Sequence, residues 1–433
     1  MNTRALRLVR FSLIASAVAI SVASLNAADW PQYRGPNANG VTDEKIQVTW
    51  PAGGPKQVWK APMNAGFSTF AVAGGKAYTL VTREIDGVKN ETCVALDADS
   101  GKELWAAPLG YTKLDGGGDT GAPNNKGGDG PRSTPTVDGN RVYALSAGLV
   151  LSCLDAQNGK TIWKKELIKE YGAKSITWQN AASPLLEGNL IFVCAGGSGQ
   201  SLLCFHKTTG ALVWKGQSDA MTHVTPVAAT ILGHRQVIFF TQSGLVSVVP
   251  GTGDVLWRYS FPYRTSTAAS PVVGGDIVFC SAGYGVGAGA VKITKSGDKF
   301  QATEIWRKSN QLINHWSSSV YHNGHVYGLF GFKQWEKVPL QCVDIATGEV
   351  KWSKDGFGQG GTILADGHLV TLAENGDLVV AEATPKAYTE TARTKAVTGK
   401  CWNNVALANG RIYARSTKEG VCLDVSRSTA AAK

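Results

Sequence analysis

The sequence predicts an all-β fold, an eight-bladed propeller of four-stranded antiparallel blades, and three observations predict it. Seven tryptophans, Trp59, Trp105, Trp163, Trp214, Trp257, Trp306 and Trp352, stand 43 to 58 residues apart. That is the period of propeller blades and well above that of leucine-rich or ankyrin repeats. Five of these tryptophans follow a glycine by four residues: Gly101, Gly159, Gly210, Gly253 and Gly348. The composition is that of a turn-rich core, with 43% hydrophobic, 9% aromatic and 18% charged residues and 51 glycines in 433, which excludes disordered and coiled-coil classes.

In chain order, residues 1–27 are expected to lie outside the fold. Arg4, Arg7 and Arg10 form a basic start, Phe11 to Ser24 is an uncharged run, and Leu25-Asn26-Ala27 ends on the small residue that signal peptidase requires. The run is too short to span a bilayer, which takes about 20 residues, so the expectation is a cleavable secretory signal and an exported, periplasmic protein with no membrane span. No cysteine precedes Cys93, which argues against a lipid-modified cysteine at a new N-terminus. Without the three arginines the net charge falls from +10 to +7. Spread over the remaining chain with no run of five basic residues, that charge gives no argument for nucleic acid as a partner.

Residues 28–433 read as one propeller domain. Val58-Trp59-Lys60 is a strand with no strand partners before it. The first inner strand begins at Ser68-Thr69-Phe70, and its blade ends in the hairpin Ala95-Leu96-Asp97-Ala98-Asp99-Ser100-Gly101-Lys102-Glu103-Leu104-Trp105. In such a hairpin the aspartate caps turn amides, the glycine supplies a positive φ, and the tryptophan wedges between sheets. Later inner strands begin at Ser133-Thr134-Pro135, Ala182-Ser183-Pro184, Val224-Thr225-Pro226, Ala269-Ser270-Pro271, Ser318-Ser319-Val320, Gly361-Thr362-Ile363 and Asn404-Val405-Ala406. The seventh unit lacks the tryptophan and carries Arg393 near its place, and the eighth, Val405 to Asp424, lacks a fourth strand. An open sheet edge invites aggregation, so the N-terminal strand is expected to complete the last blade and close the ring.

The hairpin motif, the Ser-Pro-Val-Val inner strand at residues 270–273 and the start Asp29-Trp30-Pro31-Gln32-Tyr33-Arg34-Gly35 resemble the quinoprotein-type propeller family with its PQQ-like repeat. The resemblance covers nearly the whole mature chain. It implies one of two functions: a periplasmic dehydrogenase dependent on pyrroloquinoline quinone and calcium, or a non-catalytic binding scaffold similar to the outer-membrane assembly factor BamB. Fold alone does not choose between them. The dehydrogenases clamp their quinone with a ring of two adjacent cysteines, and no two cysteines here are adjacent. The scaffold branch is therefore the reading adopted, with no cofactor and no catalysis of its own. A quinone-dependent alcohol or sugar dehydrogenase and a polysaccharide-binding module are the alternatives.

Cys93, Cys153, Cys204, Cys342 and Cys422 read as one repeated third-strand position and hence as core packing. Equivalent positions around a ring lie too far apart for disulfides, while Cys194, Cys280 and Cys401 end strands. No Cys-x-x-Cys-His sequence offers a haem attachment. His322 and His325 flank Asn323-Gly324, a hairpin turn signal, so a turn is expected there and not a metal site. The segment Gly110 to Arg132, with Asp115, Asp119 and Asp129 among its glycines, is expected to be a loop over the channel, with a calcium site as the weaker alternative.

The candidate site is assembled from equivalent positions just ahead of successive inner strands: Phe67, Arg132, Trp178, Gln179, Asn180, His223, Thr265, Ser266, Asn314, His315, Trp316, Gln359, Trp402 and Asn403. In a propeller these loops converge on one end of the central channel. Aromatic and amide side chains there suit a polar or planar ligand or a segment of an envelope protein bound by a monomeric ring. The competing structural reading is that they simply plug the channel.

Overall fold

The computed structural model describes residues 28–111, 130–176, 178–265, 267–332 and 337–427. The leader, Ser266 and the three aspartates Asp115, Asp119 and Asp129 fall outside the described residues. Eight antiparallel sheets follow one another along the chain. Their inner strands are Ala71–Ala73, Thr136–Asp138, Leu185–Glu187, Val227–Ile231, Val272–Gly274, Val320–His322, Gly361–Ala365 and Ala406–Ala408, which number blades 1 to 8. Helix is almost absent among the described residues; Leu167–Tyr171 makes a little over one turn after blade 2. Asn323 and Gly324, at φ 45° and 82°, form the tight hairpin turn between His322 and His325.

Lys56–Pro62 pairs antiparallel with Glu419–Asp424 and completes blade 8, setting Trp59 opposite Cys422. The ring is thus closed as the unpartnered N-terminal strand required. One blade departs from four strands: Val41–Thr42 adds a parallel fifth strand to the inner edge of blade 7.

The spacing of the repeat is explained by what joins the blades. In all eight blades the ladder between third and fourth strands shifts by one residue, a bulge at or beside the tryptophan position; in six of them the tryptophan reaches the next sheet. Its indole then donates to a turn carbonyl of the following blade: Trp59 to Ala98 (2.9 Å), Trp105 to Ala156 (3.1 Å), Trp163 to Lys207 (3.2 Å), Trp214 to Pro250 (2.8 Å), Trp306 to Ile345 (2.9 Å) and Trp352 to Thr384 (2.7 Å). The motif glycine receives that ring. A Cβ on Gly101, Gly159, Gly210 or Gly253 would stand 2.6–2.7 Å from the indole of the preceding blade. Each motif therefore serves two joints, with its glycine facing backward and its tryptophan forward.

Two joints differ. Trp257 turns to its own blade and donates to Gln236 Oε1 at 2.8 Å. In blade 7 the register position of the tryptophan belongs to Ala392, opposite Val380, with Arg393 one residue on.

Cysteine placement corrects part of the sequence reading. Cys153, Cys204, Cys342 and Cys422 each face the blade's tryptophan across the ladder, but in blade 1 that slot is Ala95 and Cys93 lies two residues earlier. The third strand of blade 1 is long, Val88–Asp97, so a cysteine two residues upstream still points into the core. All eight cysteines are free and buried, and burial pushes the Cys153, Cys204 and Cys422 thiols up to about 12. Thiol titration is expected to find eight free groups in denaturant and almost none in the native protein, with a melting temperature indifferent to reductant. A large drop on reduction would reveal structural disulfides instead.

Just ahead of several inner strands, backbone amides facing the channel find their partner in a Ser or Thr hydroxyl of the next blade. Thr69 N donates to Thr134 Oγ1 (3.1 Å), Thr134 N to Ser183 Oγ (2.8 Å), Ser183 N to Thr225 Oγ1 (2.9 Å) and Ser270 N to Ser318 Oγ (2.9 Å). These bonds form a hydroxyl girdle from blade to blade.

Below the girdle the N-terminal segment crosses the channel as a plug. Trp30 pairs with Val72, Val137 N donates to Pro31 O at 2.7 Å, and Leu186 N donates to Gln32 Oε1 at 3.3 Å. On the far side Arg34 Nη2 donates to Ser319 O at 2.7 Å. The segment thus braces blades 1, 2, 3 and 6 before joining blade 7. Trp30 is 1% exposed.

Candidate functional site

The end of the channel opposite the plug is closed by a run of aromatic rings. Phe67 stacks on Trp402 (centroids 5.1 Å, 18° between planes), and Trp402 stacks on Trp316 (4.7 Å, 11°). Trp316 meets Phe332 at 6.0 Å, Phe332 meets Tyr284 at 4.5 Å, Tyr284 lies on Trp178 at 6.2 Å, and Trp178 meets His223 at 6.4 Å. His315 fills the angle between Tyr284, Phe332 and Trp316, with centroids 5.0–5.3 Å away. Loops that precede inner strands, and loops joining second to third strands, both deliver residues here.

Polar groups tie the rings down. Trp402 donates its indole N–H to Glu374 Oε1 (2.8 Å), and Gln359 N donates to Glu374 Oε2 (2.9 Å). Arg132 Nη1 donates to Trp178 O (3.0 Å). Lys400 Nζ stands 4.4 Å from the Trp402 ring centroid, a cation–π contact worth about 0.5–1 kcal/mol when exposed. Trp178, Gln179 and Tyr284 all hold left-handed backbone, with φ of 66°, 59° and 57°. A non-glycine residue there costs on the order of 1 kcal/mol or more, and such strain concentrates where a side chain must be aimed. Burial pushes the Tyr284 hydroxyl up to about 12, so it remains a neutral phenol at physiological pH.

The candidate residues separate into two layers. Arg132, Trp178, Gln179, Trp316 and Trp402 are half-buried at the mouth, with His223 and His315 behind them. Thr265 is also half-buried. Phe67 is 6% exposed, its face covered by Trp402. The amides lie deeper than the sequence reading placed them, because each braces a loop against backbone. Asn180 donates to Ala182 O (2.9 Å) and accepts from Ala182 N (3.1 Å). Asn314 donates to Leu329 O (3.0 Å) and Ser319 Oγ (3.1 Å). Gln359 donates to Gly331 O (3.3 Å), and Asn403 donates to Ser68 O (3.4 Å).

The sequence reading did not include Tyr284, Phe332, Glu374 and Lys400. Three of them sit on loops joining second and third strands, a set of connections that the inner-strand motif does not mark. The signal that could have found Tyr284 is the Gly283-Tyr284-Gly285 triplet interrupting a hairpin. Beside these residues Tyr284, Asn310, Leu312 and Phe330 line an open cavity of about 430 Å³. The arrangement offers flat apolar faces with cations at the rim. Among the described residues Glu374 accepts from two N–H donors, and the rings around it offer faces for stacking.

Residues 89–353 match the family described as "Outer membrane protein assembly factor BamB". A curated relative of the same description from Moranella endobia (strain PCIT) is 23% identical over 275 residues, which is 60% of this chain and 66% of that protein. The chain thus matches just under two thirds of that relative's length. Among solved structures, BamB from Moraxella catarrhalis superposes with a TM-score of 0.59 at 15% identity, covering 86% of this chain and 98% of that one. The quinohemoprotein alcohol dehydrogenase of Comamonas testosteroni gives 0.60 at 13% identity, covering 94% and 82%. At such identities these two likenesses speak for the propeller fold alone.

Proposed function

This chain belongs to the family described as outer membrane protein assembly factor BamB, and on that footing we propose that it is an exported, monomeric, non-catalytic scaffold of the cell envelope. Its aromatic mouth takes a segment of an envelope protein or a polar, planar ligand. The observation that carries this reading is the unbroken run of rings from Phe67 to His223, half-exposed at Trp178, Trp316 and Trp402. Binding energy concentrates in Trp, Tyr and Arg near the centre of such a patch. The described residues contain no helix long and apolar enough to cross a membrane.

The donor set does not suit a calcium-held quinone. Trp316 and Trp402 spend their flat faces on one another at 4.7 Å, so neither presents a platform on that side. The amide N–H groups of Asn180, Asn314, Gln359 and Asn403 are spent on bracing loops, and no group of three or more His, Cys, Asp or Glu residues among the described residues gathers as metal ligands. No step is assigned to that cofactor.

The test is capture from envelope extract by the purified mature protein. The double variant Trp316→Ala/Trp402→Ala is expected to lose at least tenfold in affinity for what wild type captures, about 1.4 kcal/mol or more, with unchanged melting. At the opposite end, Asp97, Asp155 and Asp344 each accept turn amides, and their Asn variants should bind normally. The reverse pattern would move the functional face to that end. Alcohol-dependent dye reduction in the presence of quinone and calcium would overturn the non-catalytic reading.

A further inference from the structure

At the plugged end, the N-terminal segment leaves a cavity of about 430 Å³ between its Arg34–Val41 arm and the inner strands of blades 4 and 5. Its walls have two characters. Val227, Ala228, Val272 and Val273 supply an aliphatic side, and Arg34 supplies a charge. No carboxylate lines the cavity among the described residues.

Arg34 is 3% exposed. Its Nη2 donates to Asn39 O and Ser319 O, both at 2.7 Å, while Nε and Nη1 have no hydrogen-bond partner among the described residues. A guanidinium carries five N–H donors, and burying a cation without an opposite charge is costly. Burial pushes the group down to about 10, which still leaves it a cation at neutral pH. Its backbone is also left-handed, at φ 65°, a strained conformation that the plug maintains at this residue. The other arginine on the lining, Arg235, is already engaged with both carboxylate oxygens of Glu187 at 2.8 and 2.6 Å. The uncompensated charge is therefore Arg34's.

We propose that this cavity is a binding site for a small aliphatic carboxylate, with the carboxylate drawn to Arg34 and the hydrocarbon chain laid against Val227, Val272 and Val273. A guanidinium matches a carboxylate geometrically. The aliphatic wall distinguishes an organic acid from an inorganic anion, which would leave that surface uncovered. The site lies at the other end of the channel from the mouth and stands independently of what the mouth binds.

Calorimetry and thermal melts of the mature protein with hexanoate, hexan-1-ol and sulfate test it. Hexanoate is expected to bind and to raise the melting temperature with dose, and the alcohol and sulfate to bind at least tenfold more weakly. Arg34→Gln should lower hexanoate affinity at least tenfold. Because that variant also removes plug contacts, Ala228→Leu serves as the second: it narrows the cavity, leaves Arg34 in place, and should lose hexanoate binding as well. No hexanoate binding at millimolar concentration, equal affinity in wild type and Arg34→Gln, undiminished affinity in Ala228→Leu, or sulfate binding as tightly as hexanoate would each overturn the proposal.

Discussion

A chain shortened to begin at Asn64 is expected to unfold or to associate through its open edge. Deleting residues 28–63 removes Lys56–Pro62, the strand that covers Glu419–Asp424, and exposes that row of backbone groups to any other chain. It also removes two buried tryptophans, Trp30 at 1% and Trp59 at 6% exposure. Losing a buried tryptophan costs about 3–5 kcal/mol, so the pair alone approaches the 5–15 kcal/mol that typically stabilises a folded domain. The closing strand is held by the joint that recurs around the ring, with the Trp59 indole donating to Ala98 O and lying over Gly101. Melting and size-exclusion chromatography decide the outcome. A truncated protein that stays monomeric and melts like the mature chain would sink the claim that this strand seals the ring.

The second large effect is expected at an interior joint, in a double-mutant cycle on Trp105 and Gly159. Gly159 has φ 73°, and an added Cβ would stand 2.7 Å from the Trp105 ring. Gly159→Ala should therefore cost about 2–4 kcal/mol, combining a left-handed alanine with displacement of a packed indole. Trp105→Ala should cost about 3–5 kcal/mol. With the ring gone, Gly159→Ala should cost only the backbone penalty of about 1 kcal/mol, leaving a coupling of 1 kcal/mol or more between residues of adjacent blades. Gly139, with φ 55° and nothing within 4 Å of its Cβ position, is the control. If Gly159→Ala proves no worse than Gly139→Ala, the glycine is in the motif for its turn alone.

The tryptophan ladder and the solitary strand at Trp59 made blade number and closure legible in the sequence, because both are statements about period and sheet edges. The aspartate caps and the His322–His325 turn were legible for a similar reason, since turn chemistry is local. Contacts between blades were not. Nothing in the spacing from Gly159 to Trp163 says that the glycine's neighbour is Trp105, some fifty residues earlier. The slip at Cys93 has the same origin, since strand length in blade 1 is set by pairing with Lys76–Ile85 and Glu103–Tyr111.

At the mouth, the residues ahead of inner strands other than Lys400 were found, and Tyr284, Phe332 and Glu374 were missed because their loops carry no repeat. The depth of Asn180, Asn314, Gln359 and Asn403 depended on which backbone carbonyls came within reach. The role of Trp30 to Arg34 was visible only once four blades had gathered around that segment.

The closing strand also sets an order of events. Lys56–Pro62 pairs with Glu419–Asp424, more than 350 residues later in the chain. At 5–20 residues per second the interval is roughly twenty to seventy-five seconds. Through that time the first strand made and the first blade's Gly101 face await a neighbour, and the growing arc carries an unsealed edge at each end. Pairing across such a sequence separation is the slow kind, since loop closure must precede any contact that rewards it. The molecule is thus most vulnerable to capture by other chains until Glu419–Asp424 meets Lys56–Pro62, and a holdase that shields the segment around Trp59 would protect the whole ring.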